Sequence, residues 1–309
     1  MSSPGPVLHC PHPTVATNRP ELARAVLAAV CARADLDHRG ARLLRLVGNA
    51  VFELASNPVI VKIVLTRGLA HRARNAVAAS ALLARNGVPA IQPLPDVAAP
   101  LYLGGYAATF WRRVTDVGPP PDIDDLIQLL LRLHRLPARG LSPWRPVADL
   151  RARLMDARGV DPDDLRFLRD RCDAVEEALG NVRYELRPTV IHGDARIGNL
   201  IAGPDGPLLC DLDTTGIGPA EWDLVPVAVA QRRFGTGAVD GRTDHDRVAH
   251  GYGFDVTRWP GFPVLQEIRD LKLLCSALPA ADQPGTGAEL RQRLKSYRAG
   301  NPTGWTRYP

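Results

Sequence analysis

Apolar residues recur along this chain with two periods, and the change from one to the other divides it. Residues 20–34 (PELARAVLAAVCARA) read as a helix, with Asn18 as cap and Pro20 in the first turn. Leu43 to Leu54 holds two apolar runs around Gly48-Asn49. Val59 to Leu65 (VIVKIVL) is a plain strand, so this stretch predicts an antiparallel meander. Leu69 to Asn86 is Ala-rich and helical, and Gly87 ends it before Val88-Pro89. Tyr106 to Val114 (YAATFWRRV) closes the first part as a strand, and Gly118-Pro119-Pro120-Pro121 marks the boundary. Helical periodicity then dominates: 123–136, about 147–157, 162–180, 221–234 with a break near Pro226, 264–278 and 288–298. The expectation is an α+β chain, β-rich over residues 1–117 and mostly helical over 118–309.

One short β segment interrupts the helical part and carries the chemistry. Pro188 to Ile191 reads as a strand, His192 to Gly198 as a tight loop, Asn199 to Ile201 as a second strand, Pro204-Asp205-Gly206 as a turn and Leu208 to Leu212 as a third strand. Such a hairpin brings Asp194, Asn199 and Asp211 to one end of a small sheet. Two carboxylates and an amide oxygen are hard ligands and suit Mg²⁺. A loop carboxylate can also take a proton from a substrate hydroxyl. His192 reads as a buried hydrogen-bonding residue that holds the loop. Asp213 reads either as a structural acid or as an auxiliary metal contact.

The spacing His192-x-Asp194-x-x-x-x-Asn199, with Asp211 on the next strand and Gly218-Pro219-Ala220-Glu221-Trp222-Asp223-Leu224 after it, resembles the aminoglycoside phosphotransferase and choline kinase-like family. That family is a branch of the protein-kinase-like fold. The resemblance implies two lobes, 1–117 binding the nucleotide and 118–309 carrying catalysis and the acceptor. It implies Asp194 as the catalytic Asp, Asn199 and Asp211 as metal ligands, and Asp223 as a support of the catalytic loop. Lys62 would neutralise phosphate oxygens, and Gly48-Asn49 resembles the loop over the phosphates, although an ordinary hairpin turn fits as well. Phe110 and Trp111 resemble the hinge beside the base. Arg196 either contacts the transferring phosphoryl group or is a surface Arg. His134 is expected to pack. The family's helix usually carries a Glu for the strand Lys, whereas no acid occurs here between Glu53 and Asp96. Lys62 therefore needs another partner. Glu221, Trp222, Asp240, Asp244, Asp246 and Asp255 are the expected acceptor contacts, since an amine-bearing acceptor wants carboxylates.

The implied activity is an ATP- or GTP-dependent small-molecule kinase acting on an aminoglycoside-like antibiotic or related hydroxylated metabolite. The alternative is a catalytically weak or inactive nucleotide-binding member of the fold. A metal-dependent phosphoesterase using His192 lacks a second metal group, and no GxxxxGK[ST] segment marks a P-loop. Residues 1–118 carry a net +7 and residues 119–309 a net −2, and a basic first part suits a nucleotide. No basic run with interleaved aromatics argues for nucleic acid, and no apolar run argues for a membrane. Five scattered cysteines without a CxxC pair predict reduced thiols in a cytoplasmic protein, monomeric or dimeric. Among 38 basic residues only Lys62, Lys272 and Lys295 are lysines, so a Lys inside a strand stands out.

Overall fold

The computed structural model describes residues 19–46, 48–115, 118–235 and 238–308; the expected cap Asn18 lies outside them. Helix α1 (Arg19–Arg33) precedes an antiparallel sheet of β1 (Arg42–Leu46), β2 (Asn49–Glu53), β3 (Val59–Val64), β4 (Leu101–Leu103) and β5 (Tyr106–Arg112). The strand order is β1-β2-β3-β5-β4, and α2 (His71–Arg85) connects β3 to β4. Side chains alternate across a strand. Val59, Val61 and Ile63 of β3 thus pack with Phe52, Phe110 and the Ala23, Val26, Leu27 face of α1. The same alternation turns Lys62 to the other face, where Val64 meets Leu69 and Ala73 at the start of α2.

The second part is a helical body. It comprises α3 (Ile123–Leu133), α4 (Pro146–Met155), α5 (Pro162–Gly180), α6 (Glu221–Phe234), α7 (Asp244–Tyr252), α8 (Phe262–Cys275) and α9 (Pro284–Arg298). Its core joins Leu126, Leu130 and Leu133 of α3 with Leu168, Trp222, Leu224, Leu265 and Leu271. Each such side chain contributes roughly 1.5–3 kcal/mol by leaving water. Asp122 and Asp125 close a reciprocal capping box at the start of α3.

Short strands lie within this body, among them β6 (Pro188–Ile191), β7 (Leu200–Gly203), β8 (Gly206–Leu209) and β9 (Gly216–Pro219). The hairpin is β7–β8, while β6 pairs with β9 and not with the hairpin. The loops after β6 and after β8 are thereby tied at both ends. Helix α6 runs unbroken through Pro226. The bond lost there is offset by burial of Trp222, Leu224, Val225, Val227 and Val229. Helix α7, unread in the sequence, uses Asp246 with Thr243 in a capping box. No helix among the described residues is long and apolar enough to cross a membrane.

Candidate active site

The loop after β6 is held from below by one carboxylate. Asp223, fully buried in the first turn of α6, accepts the backbone N–H of His192 at 2.6 Å and of Gly193 at 2.7 Å. His134 donates its Nε2–H to the same carboxylate at 3.1 Å, and Tyr252 donates to His134 Nδ1 at 2.7 Å. His134 is therefore part of the support and not mere packing. His192 donates from Nε2 to the Cys210 carbonyl at 2.9 Å, while its Nδ1 accepts the Asp194 N–H at 3.3 Å. Gly193 has φ +81°, and a Cβ there would collide with the Thr214 carbonyl. The Gly193 carbonyl accepts from Trp222 Nε1 (3.0 Å) and Lys272 Nζ (2.8 Å). Asp194 leaves this scaffold with its direction set.

The loop after β8 faces it. Asp211 sits at φ 58°, ψ 49°, a left-handed conformation uncommon for a residue with a side chain. Lys62 Nζ donates to Asp211 and reaches Asp213 Oδ1 at 2.8 Å. Burial works to lower the Lys62 pKa, yet the two carboxylates raise it above its usual value. Burial likewise acts to raise Asp211, and the Lys62 charge overrides it and holds that carboxyl below the usual range. These carboxylates replace the acid that α2 lacks. In place of that acid, α2 presents Asn75, which donates to the carbonyls of Asp213 (3.2 Å) and Thr215. Asn49, the first residue of β2, donates to Asp213 Oδ2 at 2.9 Å. The β1–β2 turn thus reaches the metal-type loop, and the Gly48 carbonyl accepts from Arg19 at 3.4 Å.

Asn199 donates from Nδ2 to the Asp194 carbonyl at 2.8 Å, which leaves Oδ1 as its hard donor. That oxygen and the carboxylates of Asp211 and Asp213 are all hard donors, the chemistry a divalent ion of the Mg²⁺ class takes. No three His, Cys, Asp or Glu side chains form a cage among the described residues. Such an ion would therefore keep waters or phosphate oxygens in its sphere, as Mg²⁺ does.

The phosphotransferase enzyme family profile matches residues 41–265, a span that contains both loops, Lys62 and Asp223. The chain belongs to that family. As a member it is a small-molecule phosphotransferase with an alcohol group as acceptor. The fold is that of choline kinase LicA from Streptococcus pneumoniae (16% identity, 89% of this chain and 98% of that one, TM-score 0.59). It is also that of aminoglycoside phosphotransferase APH(3'')-Id from Streptomyces rimosus, solved with ADP and streptomycin (19%, 80% and 97%, TM-score 0.55). Amicoumacin kinase hAmiN, solved with AMP-PNP, Ca²⁺ and Ami, is similar too (12%, 94% and 99%, TM-score 0.59). No curated protein matches the chain.

In this phosphotransferase the surroundings of Asp194 are strongly basic. From α8, Arg269 Nη1 donates to Asp194 Oδ1, and Lys272 Nζ lies 3.4 Å from the same oxygen. Arg196 Nε lies 3.7 Å from Oδ2. Burial alone would raise the Asp194 pKa; the charges of Lys272, Arg269 and Arg196 hold it well below the usual carboxylate range. Lys272 shows the converse: burial pushes its ammonium down to about 8 against the pull of Asp194. Sequence reasoning missed both α8 residues. The rarity of Lys in this Arg-rich chain was the available signal, and it singled out Lys62 alone.

A cavity of about 780 Å³ opens beside the two loops, between α2, the 140–153 segment and Lys272. Trp222 is a wall of it and packs against Trp144, with ring centroids 4.9 Å apart and planes tilted by 44°. The structure places the other expected acceptor contacts away from this cavity. Glu221 is fully buried and accepts the N–H groups of Glu185 (2.8 Å) and Leu186 (2.7 Å). Asp240 sits exposed in a left-handed turn, and Asp244 begins α7; neither lines the cavity. Asp246 and Asp255 are caps. Phe110 is buried in the core of the sheet, and Trp111 is buried with its indole N–H on Thr109 at 2.8 Å. The Phe110 carbonyl already accepts from Leu94 at 2.9 Å. Both side chains are packed inside the protein.

Proposed function

We propose that this phosphotransferase moves the γ-phosphoryl group of ATP, or of GTP, to a hydroxyl of an aminoglycoside-like antibiotic or related hydroxylated metabolite. What supports the reading is the convergence of Lys62, from the first part of the chain, on Asp211, with Asn199 bonded to Asp194 beside them. Asn199 and Asp211 are the proposed metal ligands. Mg²⁺ bound there would neutralise charge on the phosphates. Lys62 would face non-transferring oxygens, and Gly48 and Asn49 would lie over the phosphates.

Asp194 orients the acceptor hydroxyl. The hydroxyl oxygen bonds to the γ-phosphorus, the bond to the departing nucleoside diphosphate breaks, and the hydroxyl proton passes to Asp194 and then to solvent. Its depressed pKa makes Asp194 a weak base, which suits late proton transfer in a loose transition state. Arg196 stands close enough to Asp194 to meet the transferring group. The reading of an inactive member rested on the missing helical acid, and Lys62 is ion-paired without it.

The test is ADP formation over a panel of acceptors with Asp194→Ala as control. Turnover should fall by about 10²-fold or more while Mg·ATP still binds. Undiminished turnover in the variant would remove Asp194 from the mechanism. Tight Mg·ATP binding without turnover of any hydroxylated acceptor would favour the inactive alternative.

A further inference from the structure

Among the described residues, the cavity beside Asp194 is lined by several cations, some without an ion-pair partner, and by no free carboxylate. Arg74 of α2 and Arg145 at the head of α4 line it, both exposed, and neither forms an ion pair among the described residues. Arg153 of α4 also lines it and is buried, and its Nη1 has no hydrogen-bond partner among the described residues. Lys272 closes the far side. The two carboxylates in the wall are already taken. Asp149 pairs with Arg72 at 2.5 Å, and Asp213 with Lys62 at 2.8 Å and Asn49 at 2.9 Å. A cationic acceptor would meet uncompensated like charge there, at a cost that grows as water is excluded. A carboxylate or phosphate would give the guanidinium groups that line the space the charged partner they lack.

We infer that the acceptor of this phosphotransferase is an anionic hydroxylated small molecule, a hydroxy acid or a phosphate ester bearing a free hydroxyl, and not a polyamine sugar or a quaternary amino alcohol. The inference rests on the proposed kinase reading and narrows its acceptor. The anionic group docks among Arg74, Arg145 and Arg153, and the hydroxyl points past Lys272 toward Asp194. Chemistry at the hydroxyl is unchanged: its oxygen joins the γ-phosphorus, ADP departs and the proton goes to Asp194.

The experiment measures Mg·ATP binding by calorimetry, then ADP release with gluconate, glucose 6-phosphate, glucose, kanamycin and choline. A thermal-shift measurement with the same probes runs in the presence of Mg·AMP-PNP. Gluconate or glucose 6-phosphate should be turned over with kcat/KM roughly tenfold or more above glucose, and kanamycin and choline should trail both. Which anion leads separates carboxylate from phosphate recognition. Arg74→Glu with Arg145→Glu should lower kcat/KM for the anionic acceptors roughly tenfold or more and leave Mg·ATP binding in place. Should that pair destabilise the fold, Arg74→Gln with Arg145→Gln replaces it. Kanamycin or choline turned over as well as the anions overturns the inference, as does a charge reversal without effect. So does the failure of every anionic probe to react or to raise Tm while Mg·ATP binds. Failure of Mg·ATP to bind at all would instead overturn the kinase reading.

Discussion

Lys272 is one of three lysines among 38 basic residues, and it lies against Asp194, the proposed catalytic carboxylate. Its ammonium faces Asp194 and Arg269, with Arg72 and Asp149 from neighbouring helices and the Trp222 ring 5.9 Å away. Burial lowers it to about 8, so it titrates within the working range of most enzymes. Below that pH it is a cation lining the proposed acceptor cavity; above it the cation is lost. Turnover of an anionic acceptor should therefore decline as pH rises through about 8, chiefly as a rise in KM. Lys272→Arg should abolish that limb, because a guanidinium stays charged. A limb at the same pH in the variant would assign it to another group. The stability term has the opposite sign: between about 8 and the ordinary 10.5 the unfolded chain holds the extra proton, so stability rises with pH in that window.

At the scale of elements, α6 and α8 build the site together. Helix α6 carries Trp222 and Asp223 under the catalytic loop, and α8 carries Arg269 and Lys272 beside it. Arg233 of α6 and Asp270 of α8 join them by two buried bonds, at 2.7 and 2.5 Å. Burial raises the Asp270 pKa in spite of Arg233, the mark of a carboxylate that depends on its partner. Arg233→Met should cost about 3–5 kcal/mol in a urea titration, because it strands a buried charge. Adding Asp270→Leu should recover most of that loss, and a double variant no more stable than the single would show that the pair is not the cause. None of this pairing was legible in the chain. Patterning predicted α6 and α8 and the strands around Lys62, since those rest on local periodicity. The catalytic spacing was legible because its loop is short. What joins Lys272 to Gly193 or Asn75 to Thr215 spans 79 and 140 residues and leaves no local trace. The acids after Asp240 were misread for a different reason: Thr243-x-x-Asp246 is a capping signature, and helix start outranks substrate as the use of such a carboxylate.

Across the whole molecule, contacts between its two parts converge on residues 211–215. Lys62 and Asn49 reach Asp211 and Asp213 from the sheet, and Asn75 reaches the carbonyls of Asp213 and Thr215 from α2. The loop is thus both the proposed metal site and one joint between the parts. A divalent ion at Asp211 must share or replace the pairing with Lys62, so metal and nucleotide should act on stability together and not separately. At a Mg·ATP concentration near 100 Kd the folded state should gain about 2.7 kcal/mol, read as a rise in Tm. ATP with EDTA should give a markedly smaller rise. Asp211→Asn should shrink the Mg·ATP response to the EDTA value, because an amide keeps the shape and loses the charge that holds the ion. The variant should also start lower without ligand, since Lys62 then keeps only Asp213 as an ionic partner. A full metal-dependent rise in Asp211→Asn would move the metal away from this loop, and with it the account of why the two parts meet there.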